Sequence, residues 1–343
     1  MRLEPAVISA LRPAQRARLI LLGLALGAMV VLLAGMAVGS VALAPADLLA
    51  VLAGMADRHP LAAAVLALRW PRVLAAFCSG GLLAVAGALM QTLLGNPLGD
   101  PYVLGISGGA AVGALLLMWS ASAVLPVEAG ALAGASLALG LVLLCGRRSW
   151  RGIPGDGAST RLLLAGVVLS AGWSAAVMLI LTLAPEERLR GMMFWLMGDL
   201  SGVVRWQPAA LVLLLILLLL RPLAADLNVL ARGEVIAFSL GVDVARRRLQ
   251  LCLLASLATA VAVASCGAVG FIGLLVPHAL RLTVGHDQRL LLPAAALLGG
   301  SVLVLADTAA RSLLAPVQLP VGVLTALVGV PAFLWLLARR PQP

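Results

Sequence analysis

Nearly continuous apolar runs of about 15 to 24 residues, divided by short polar breaks, follow one another along almost the whole chain, and each matches the length needed to cross a bilayer. They predict ten spanning helices near 19–39, 73–94, 102–119, 129–146, 161–184, 205–221, 248–266, 270–284, 291–309 and 321–338. The expected fold class is all-α: a polytopic membrane protein with residues 1–343 in a single transmembrane domain. A cytoplasmic tail at 1–18 and one long inner loop at 222–247 complete it.

Composition supports that reading and narrows the chemistry. Of 343 residues, 62% are hydrophobic and 11% charged, so no large soluble domain fits beside ten spans and any chemistry that needs one must come from a partner. The 24 basic residues are all arginine. Without lysine the chain has no standard ATP-binding loop and no Schiff-base chemistry. The net charge of +10 is explained by positive inner loops better than by nucleic acid. With the N-terminus inside, 17 arginines fall on inner segments and seven, Arg58, Arg69, Arg72, Arg188, Arg190, Arg205 and Arg311, on outer ones. Both termini are therefore expected in the cytoplasm. Trp70, Trp119, Trp195 and Trp206 mark the outer interface and Trp150 and Trp335 the inner one, with Trp173 mid-span. The run at 19–38 is read as an uncleaved span, too long for a signal core. Cys78, Cys145, Cys252 and Cys266 lack disulfide or zinc spacing and read as small buried residues. His59, His278 and His286 are too dispersed for a metal cluster, and Gly105, Gly109 and Gly113 read as a helix-packing face.

Four polar interruptions carry candidate function. LRWPR at 68–72 places Arg69 and Arg72 three apart beside Pro71, which can begin a helix; they are either ordinary snorkelling cations or one side of an outer mouth. QTLLGNPLGDPY at 91–102 cannot be continuous helix, and is either a tight turn or a pathway lining. Within the long inner loop, Glu234, Ala237 and Gly241 form a small-residue face on a short helix, suited to a partner or to lipid headgroups. Asp307 and Arg311 are spaced to pair locally at an outer helix end, an exposed pair of little energetic weight.

Seven ordered segments resemble the permease subunits of bacterial type II ABC importers for iron-siderophores, haem and cobalamin. They are LRWPRVLAA (68–76), QTLLGNPLGDPYVLGISGGAAVGA (91–114), STRLLLAGV (159–167), WLMGDLSG (195–202), LGVDVARRR (240–248), GAVGFIGLLVPHALRL (267–282) and LADTAARSLLAPVQLPVGVLTALVGVPAFLWLL (305–337). The resemblance implies a homodimer in the inner membrane, two ATPase subunits that use ATP and magnesium, and a periplasmic binding protein, with no cofactor held by this chain. Carried over by position, it assigns Arg69, Arg72 and Arg311 to docking of the binding protein. It assigns Asn96, Leu98, Ser159 and Thr160 to a cytoplasmic gate, and Glu234, Ala237 and Gly241 to ATPase coupling. Always-charged forked donors on an outer face suit carboxylates. His278 fits the family pattern and is read as structural or coupling-related; Met192, Met193 and Met197 beside Trp195 either line a vestibule or pack at the interface.

Two readings of other classes compete. A secondary transporter driven by an ion gradient needs a buried mid-span carboxylate, for which Asp307 is the nearest candidate. An intramembrane enzyme using His278 and Asp307 lacks any convergent nucleophile or metal set. The cargo, whether cobalamin, ferric siderophore or haem, is not legible from these motifs.

Overall fold

The computed structural model describes residues 13–39, 41, 43–55, 59–120, 124–146 and 157–338. Arg2, Arg12, Arg58, Arg147, Arg148, Arg151, Arg339, Arg340 and Trp150, parts of the charge and tryptophan patterns, lie outside them, as does the side chain of Ser159.

The described residues form thirteen α-helices and one 3₁₀ turn. In chain order the helices are α1 (Pro13–Ala37), α2 (Pro45–Leu52), α3 (Pro60–Leu93), α4 (Ile106–Ser120), α5 (Val127–Cys145), α6 (Ala158–Leu183) and α7 (Glu186–Leu196). Then follow α8 (Gln207–Leu230), α9 (Glu234–Ser239), α10 (Val244–Cys266), α11 (Ile272–Thr283), α12 (Gln288–Ser312) and α13 (Val321–Ala338). The 3₁₀ turn spans Pro101–Leu104, between α3 and α4. Ten helices correspond to the ten expected spans, and α2, α7 and α9 are short additions between them. Seven are long and apolar enough to cross a membrane, while α4, α11 and α13 are shorter apolar helices.

Two boundaries differ from expectation for one reason. The second span was expected to open near Pro71 and the sixth to close at Arg221, yet α3 runs from Pro60 through Pro71, and α8 runs through Pro222 to Leu230. Proline removes one backbone donor but leaves the chain helical where flanking packing holds it. At 34 residues α3 is about 50 Å long, more than the hydrocarbon thickness.

Helix α3 is the axis of the bundle. Its most apolar window is 89% buried, against 17% for α1 and 11% for α6, so α3 is surrounded by protein and the other two face outward. Close approach is made by paired glycines. A Cβ on Gly80 would overlap the backbone of Gly299 in α12, and one on Gly87 that of Gly273 in α11. The expected small-residue face behaves the same way: Gly109 and Gly113 of α4 meet Gly134 and Gly130 of α5. Gly113→Ala is therefore expected to cost about 1–3 kcal/mol, the range for overpacking. Gly140→Ala on α5, with nothing within 4 Å of the added methyl, should leave stability unchanged or raised. Thermal inactivation midpoints in detergent compare the two, and equal midpoints would contradict the glycine packing.

Helix α11 has 12 residues and reaches only about 18 Å, so backbone must run unwound at membrane depth before it. Residues 267–271 do so, from Gly267 at φ 70° to Phe271, a non-glycine residue at φ 68°. Such backbone persists in a membrane only when its polar groups are satisfied. The one tyrosine of the chain does this: Tyr102 Oη donates to Val269 O at 2.8 Å and accepts from Val269 N at 3.0 Å. The 3₁₀ turn that carries Tyr102 is itself started by Asp100, whose carboxylate accepts from Tyr102 N at 2.7 Å. This bridge was not legible beforehand, because a lone tyrosine after an Asp-Pro turn does not reveal which carbonyl it will meet.

Candidate functional sites at the two ends of the bundle

Side-chain hydrogen bonds fix where the polar segments sit relative to one another. At the C-terminal end of α3, Gln91 Nε2 donates to Leu274 O (3.2 Å) and Arg281 donates to Gln91 Oε1. Gln288 Nε2 donates to Thr92 Oγ1 (3.3 Å), while Gln288 N donates to Asn228 Oδ1 (2.7 Å). Asn228 Nδ2 in turn donates to Asp287 Oδ1 at 2.8 Å. The ends of α3, α8 and α11 and the start of α12 are thus stitched together beside α9. Arg72 lies twenty residues upstream of Thr92 in α3, about 30 Å along the helix, so the arginine cluster and α9 occupy opposite ends of a bundle one bilayer thick.

At the arginine end, the structure brings Arg69, Arg72 and Arg311 together around Asp307. Arg72 holds the carboxylate bidentately, with Nε 3.0 Å from both oxygens and Nη2 2.8 Å from Oδ1, and its Nη1 donates to Gln318 Oε1 at 3.0 Å. Arg311 Nε stands 3.6 Å from Asp307 Oδ2. Arg69 Nη1 donates to the carbonyls of Met36 (2.9 Å) and Ala37 (3.0 Å), and its Nη2 to Val41 O. Arg311 Nη2 donates to Gly35 O. The carbonyls of Gly35, Met36 and Ala37 end α1, so two guanidinium groups cap a helix C-terminus where cations are favoured.

Two expectations are corrected here. Asp307 takes Arg72 from another helix as its principal partner, not Arg311 four residues on, and the pair is buried: Asp307 is 1% exposed. The three arginines are also not free outward donors, since Arg69 and Arg311 are each 6% exposed and committed to the chain's own carbonyls. What they present to the exterior is the wall of a cavity of about 470 Å³, lined also by Gln318, Ser201 and Val203, with three guanidinium groups against one carboxylate.

At the other end, the break after α3 is a tight turn. Gly95 has φ 58°, Asn96 Oδ1 accepts from Leu98 N at 2.9 Å, and Gly99 N donates to Asn96 O at 3.0 Å. Asn96 and Leu98 are exposed on that turn, and Thr160 is exposed in the first turn of α6. Gln91, Thr92 and Leu93 remain helical, so the polar stretch breaks three residues later than its composition suggested.

The short helix in the long loop forms where expected. α9 closes with Val242 N donating to Ala237 O (3.0 Å) and Gly241 N to Phe238 O (3.0 Å), the paired bonds of a Schellman cap, with Gly241 at φ 83° as that cap requires. The side it exposes is not the small-residue face expected. Ala237 is fully buried, and Glu234 turns inward, where Arg248 Nε of α10 donates to Glu234 Oε1 at 2.7 Å. The exposed side carries Val235, Ile236, Phe238 and Leu240, the last two 60% and 67% exposed. A six-residue helix has too few positions to bury one side and show a small-residue face on it as well. Glu234 and Ala237 anchor it, and Val235, Ile236, Phe238 and Leu240 look outward. Arg247 pairs with Asp226 of α8 at 2.5 Å and so joins the helices on either side of α9.

The other residues singled out in the sequence lie outside these clusters. His278 is buried with its ring 5.8 Å from that of Phe333, edge to face. Met192 packs with Leu115 and Ile180, which favours packing over vestibule lining for that residue, while Met193 is exposed. Cys78, Cys252 and Cys266 are buried, but Cys145 is exposed at the end of α5, against the expectation for all four.

A model of the FecCD transport family matches residues 26–339. The chain is 43% identical over 284 residues to the hemin transport system permease protein HmuU of Yersinia pestis, covering 80% of this chain and 83% of that one. It is 41% identical over 277 residues to the cobalamin import system permease protein BtuC of Halobacterium salinarum, covering 80% and 73%. Among solved structures, a metal-chelate type ABC transporter in an inward-facing conformation superposes with a TM-score of 0.80 at 29% identity, covering 94% of this chain and 100% of that one.

Proposed function

The chain belongs to the FecCD transport family, and from that membership we propose that it is the membrane-spanning permease of an ATP-driven importer that moves a metal chelate from periplasm to cytoplasm by alternating access. It performs no bond chemistry. ATP with magnesium is hydrolysed by two separate cassette subunits, a periplasmic binding protein delivers the cargo, and a second copy of the chain completes the pathway. Haem and cobalamin, the cargoes in the names of the two relatives, and ferric siderophores form the substrate class. The chain sits in the bacterial inner membrane with both termini cytoplasmic.

One observation carries this reading: an apolar helix bolted to the bundle at one end and a cationic cavity at the other, about 30 Å apart. The apolar face of α9 supports an ATPase contact, because Val235, Ile236, Phe238 and Leu240 cost least when another protein covers them. Glu234–Arg248 and Arg247–Asp226 make that contact rigid with α10 and α8, which suits transmission of nucleotide-driven movement. A ligand moves a two-state protein only through its different affinity for the two states, so a rigid lever is needed wherever ATP binds a different subunit. At the opposite end, the excess positive charge around the outer cavity supports docking of carboxylates on the binding protein, with Arg72 at its edge and Arg69 and Arg311 in its wall. Asn96, Leu98, Ser159 and Thr160 are the gate, closed by the matching residues of the second copy.

The ion-gradient reading finds little support. Among the described residues Asp307 is the one buried acid, and Arg72 holds it on three hydrogen bonds, leaving it poorly placed to carry a coupling ion. Reconstitution in vesicles tests the choice. Uptake should require the ATPase, ATP and the binding protein together, and should fall as ionic strength rises through weakened docking. Concentrative uptake driven by an ion gradient with neither helper present would overturn the proposal.

A further inference from the structure

A cavity of about 510 Å³ opens between α8 and α12 at the end of the bundle that carries α9. Its floor is apolar, formed by Leu217, Leu220 and Leu292, and its mouth carries Arg221 and Arg289. Both arginines are exposed, and among the described residues neither pairs with a carboxylate. Asp287, the nearest acid in sequence, spends its Oδ1 on Asn228 Nδ2 (2.8 Å) and Arg289 N (3.0 Å). The lining also includes Gln288, 1% exposed, whose Nε2 is bonded to Thr92 but whose Oε1 has no partner. A buried amide oxygen left without a donor is costly, and calls for one from whatever fills the space beside it.

Three features define the occupant: two guanidinium groups for a phosphate, one buried acceptor for a hydroxyl, and an apolar floor. Leu217 and Leu220 of its floor lie on the same helix as Leu211, Leu214, Leu215 and Leu218, which are exposed, and an apolar surface of that kind suits lipid. A soluble phosphate has no use for that floor, whereas an acyl chain does. We propose that this cleft is a binding site for an anionic phospholipid with a hydroxyl-bearing headgroup, of the phosphatidylglycerol type. Its phosphate lies between Arg221 and Arg289, a headgroup hydroxyl donates to Gln288 Oε1, and an acyl chain leaves along Leu217 and Leu220. A basic pocket between spanning helices at the inner leaflet is the setting in which anionic headgroups are held. The leaflet rests on the orientation proposed above; the site itself does not. Occupancy would link α8, which leads into α9, to α12, which carries Asp307.

Lipid retention by the purified chain tests this without the ATPase or binding protein, so its outcome is separable from that of the transport reading. In phosphatidylcholine nanodiscs containing a minor fraction of phosphatidylglycerol, native mass spectrometry should show phosphatidylglycerol retained in preference to phosphatidylcholine. Arg221→Gln with Arg289→Gln should weaken that retention about 30-fold, the effect of two surface cations. The Arg221→Lys, Arg289→Lys pair should keep most of it, which guards against misfolding as the cause. Gln288→Leu should weaken phosphatidylglycerol more than phosphatidic acid, which lacks the hydroxyl. Equal retention of the two lipids by the wild type, insensitivity to the glutamine pair, an equal effect of Gln288→Leu on both acids, or displacement of the lipid by millimolar glycerol phosphate would each overturn the assignment.

Discussion

Replacing Asp307 by asparagine is expected to destabilise the folded chain by about 3 kcal/mol, the lower part of the range for breaking a buried ion pair by removing one partner. Asparagine fills the same space and still accepts one hydrogen bond, so the loss is electrostatic and not steric. Three guanidinium groups, those of Arg69, Arg72 and Arg311, would remain around a site with no counter-charge, and two of their residues are 6% exposed. The effect stays in the lower range because Arg72 reaches the cavity at its end of the bundle and can take up water there. A double-mutant cycle locates the energy. Coupling between Arg72 and Asp307 should reach about 2–3 kcal/mol, whereas Asp307 and Arg311, 3.6 Å apart, should couple by under about 1 kcal/mol. Denaturation of the purified protein in mixed micelles gives both values. A larger coupling for the helix-local pair would return Asp307 to its sequence neighbour and refute the cross-helix arrangement.

Phe238→Asp is expected to abolish ATP-driven uptake while leaving the chain folded. Phe238 is 60% exposed on α9, so the substitution removes little internal packing. In the proposed complex it places a charge in the middle of an apolar contact, where aromatic anchors carry a disproportionate share of binding energy. Losing about 2–4 kcal/mol weakens the ATPase contact by roughly 30- to 1,000-fold. Glu234→Gln should differ: it loosens the bond to Arg248, so the ATPase still binds but nucleotide hydrolysis and uptake become uncoupled. Co-purification of the ATPase together with hydrolysis and uptake rates separates the two outcomes. Normal ATPase binding by Phe238→Asp would remove α9 from the interface.

Much of the architecture was legible because bilayer physics leaves few choices. An apolar run of span length must be a helix, and all ten runs are. The turn at Gly95–Asn96–Pro97 and the glycine that ends α9 were readable from local backbone chemistry. Glycines 109 and 113 were readable as a contact face, although nothing in the sequence told that Gly130 and Gly134 would be opposite. The arginines were legible as a cluster, but not the internal carbonyls that Arg69 and Arg311 cap. Arginine next to proline at a span end looks the same in sequence whether it faces water or caps the carbonyls of Met36 and Ala37.

By itself, then, the sequence determined what each short stretch must do: cross lipid, turn, end a helix, carry positive charge. Those properties depend on residues within a few positions of one another, and on a solvent that penalises every unsatisfied backbone group. Only the tertiary structure decided partnership. Asp307 meets Arg72 across 235 positions, Tyr102 closes the backbone of Val269 across 167, and Glu234 turns toward Arg248 so that Phe238 and Leu240 face out. The physical reason is that a buried charge or polar group takes the partner that packing brings within about 3 Å, and helix packing is set by where glycines let two backbones approach, not by the order of residues along the chain.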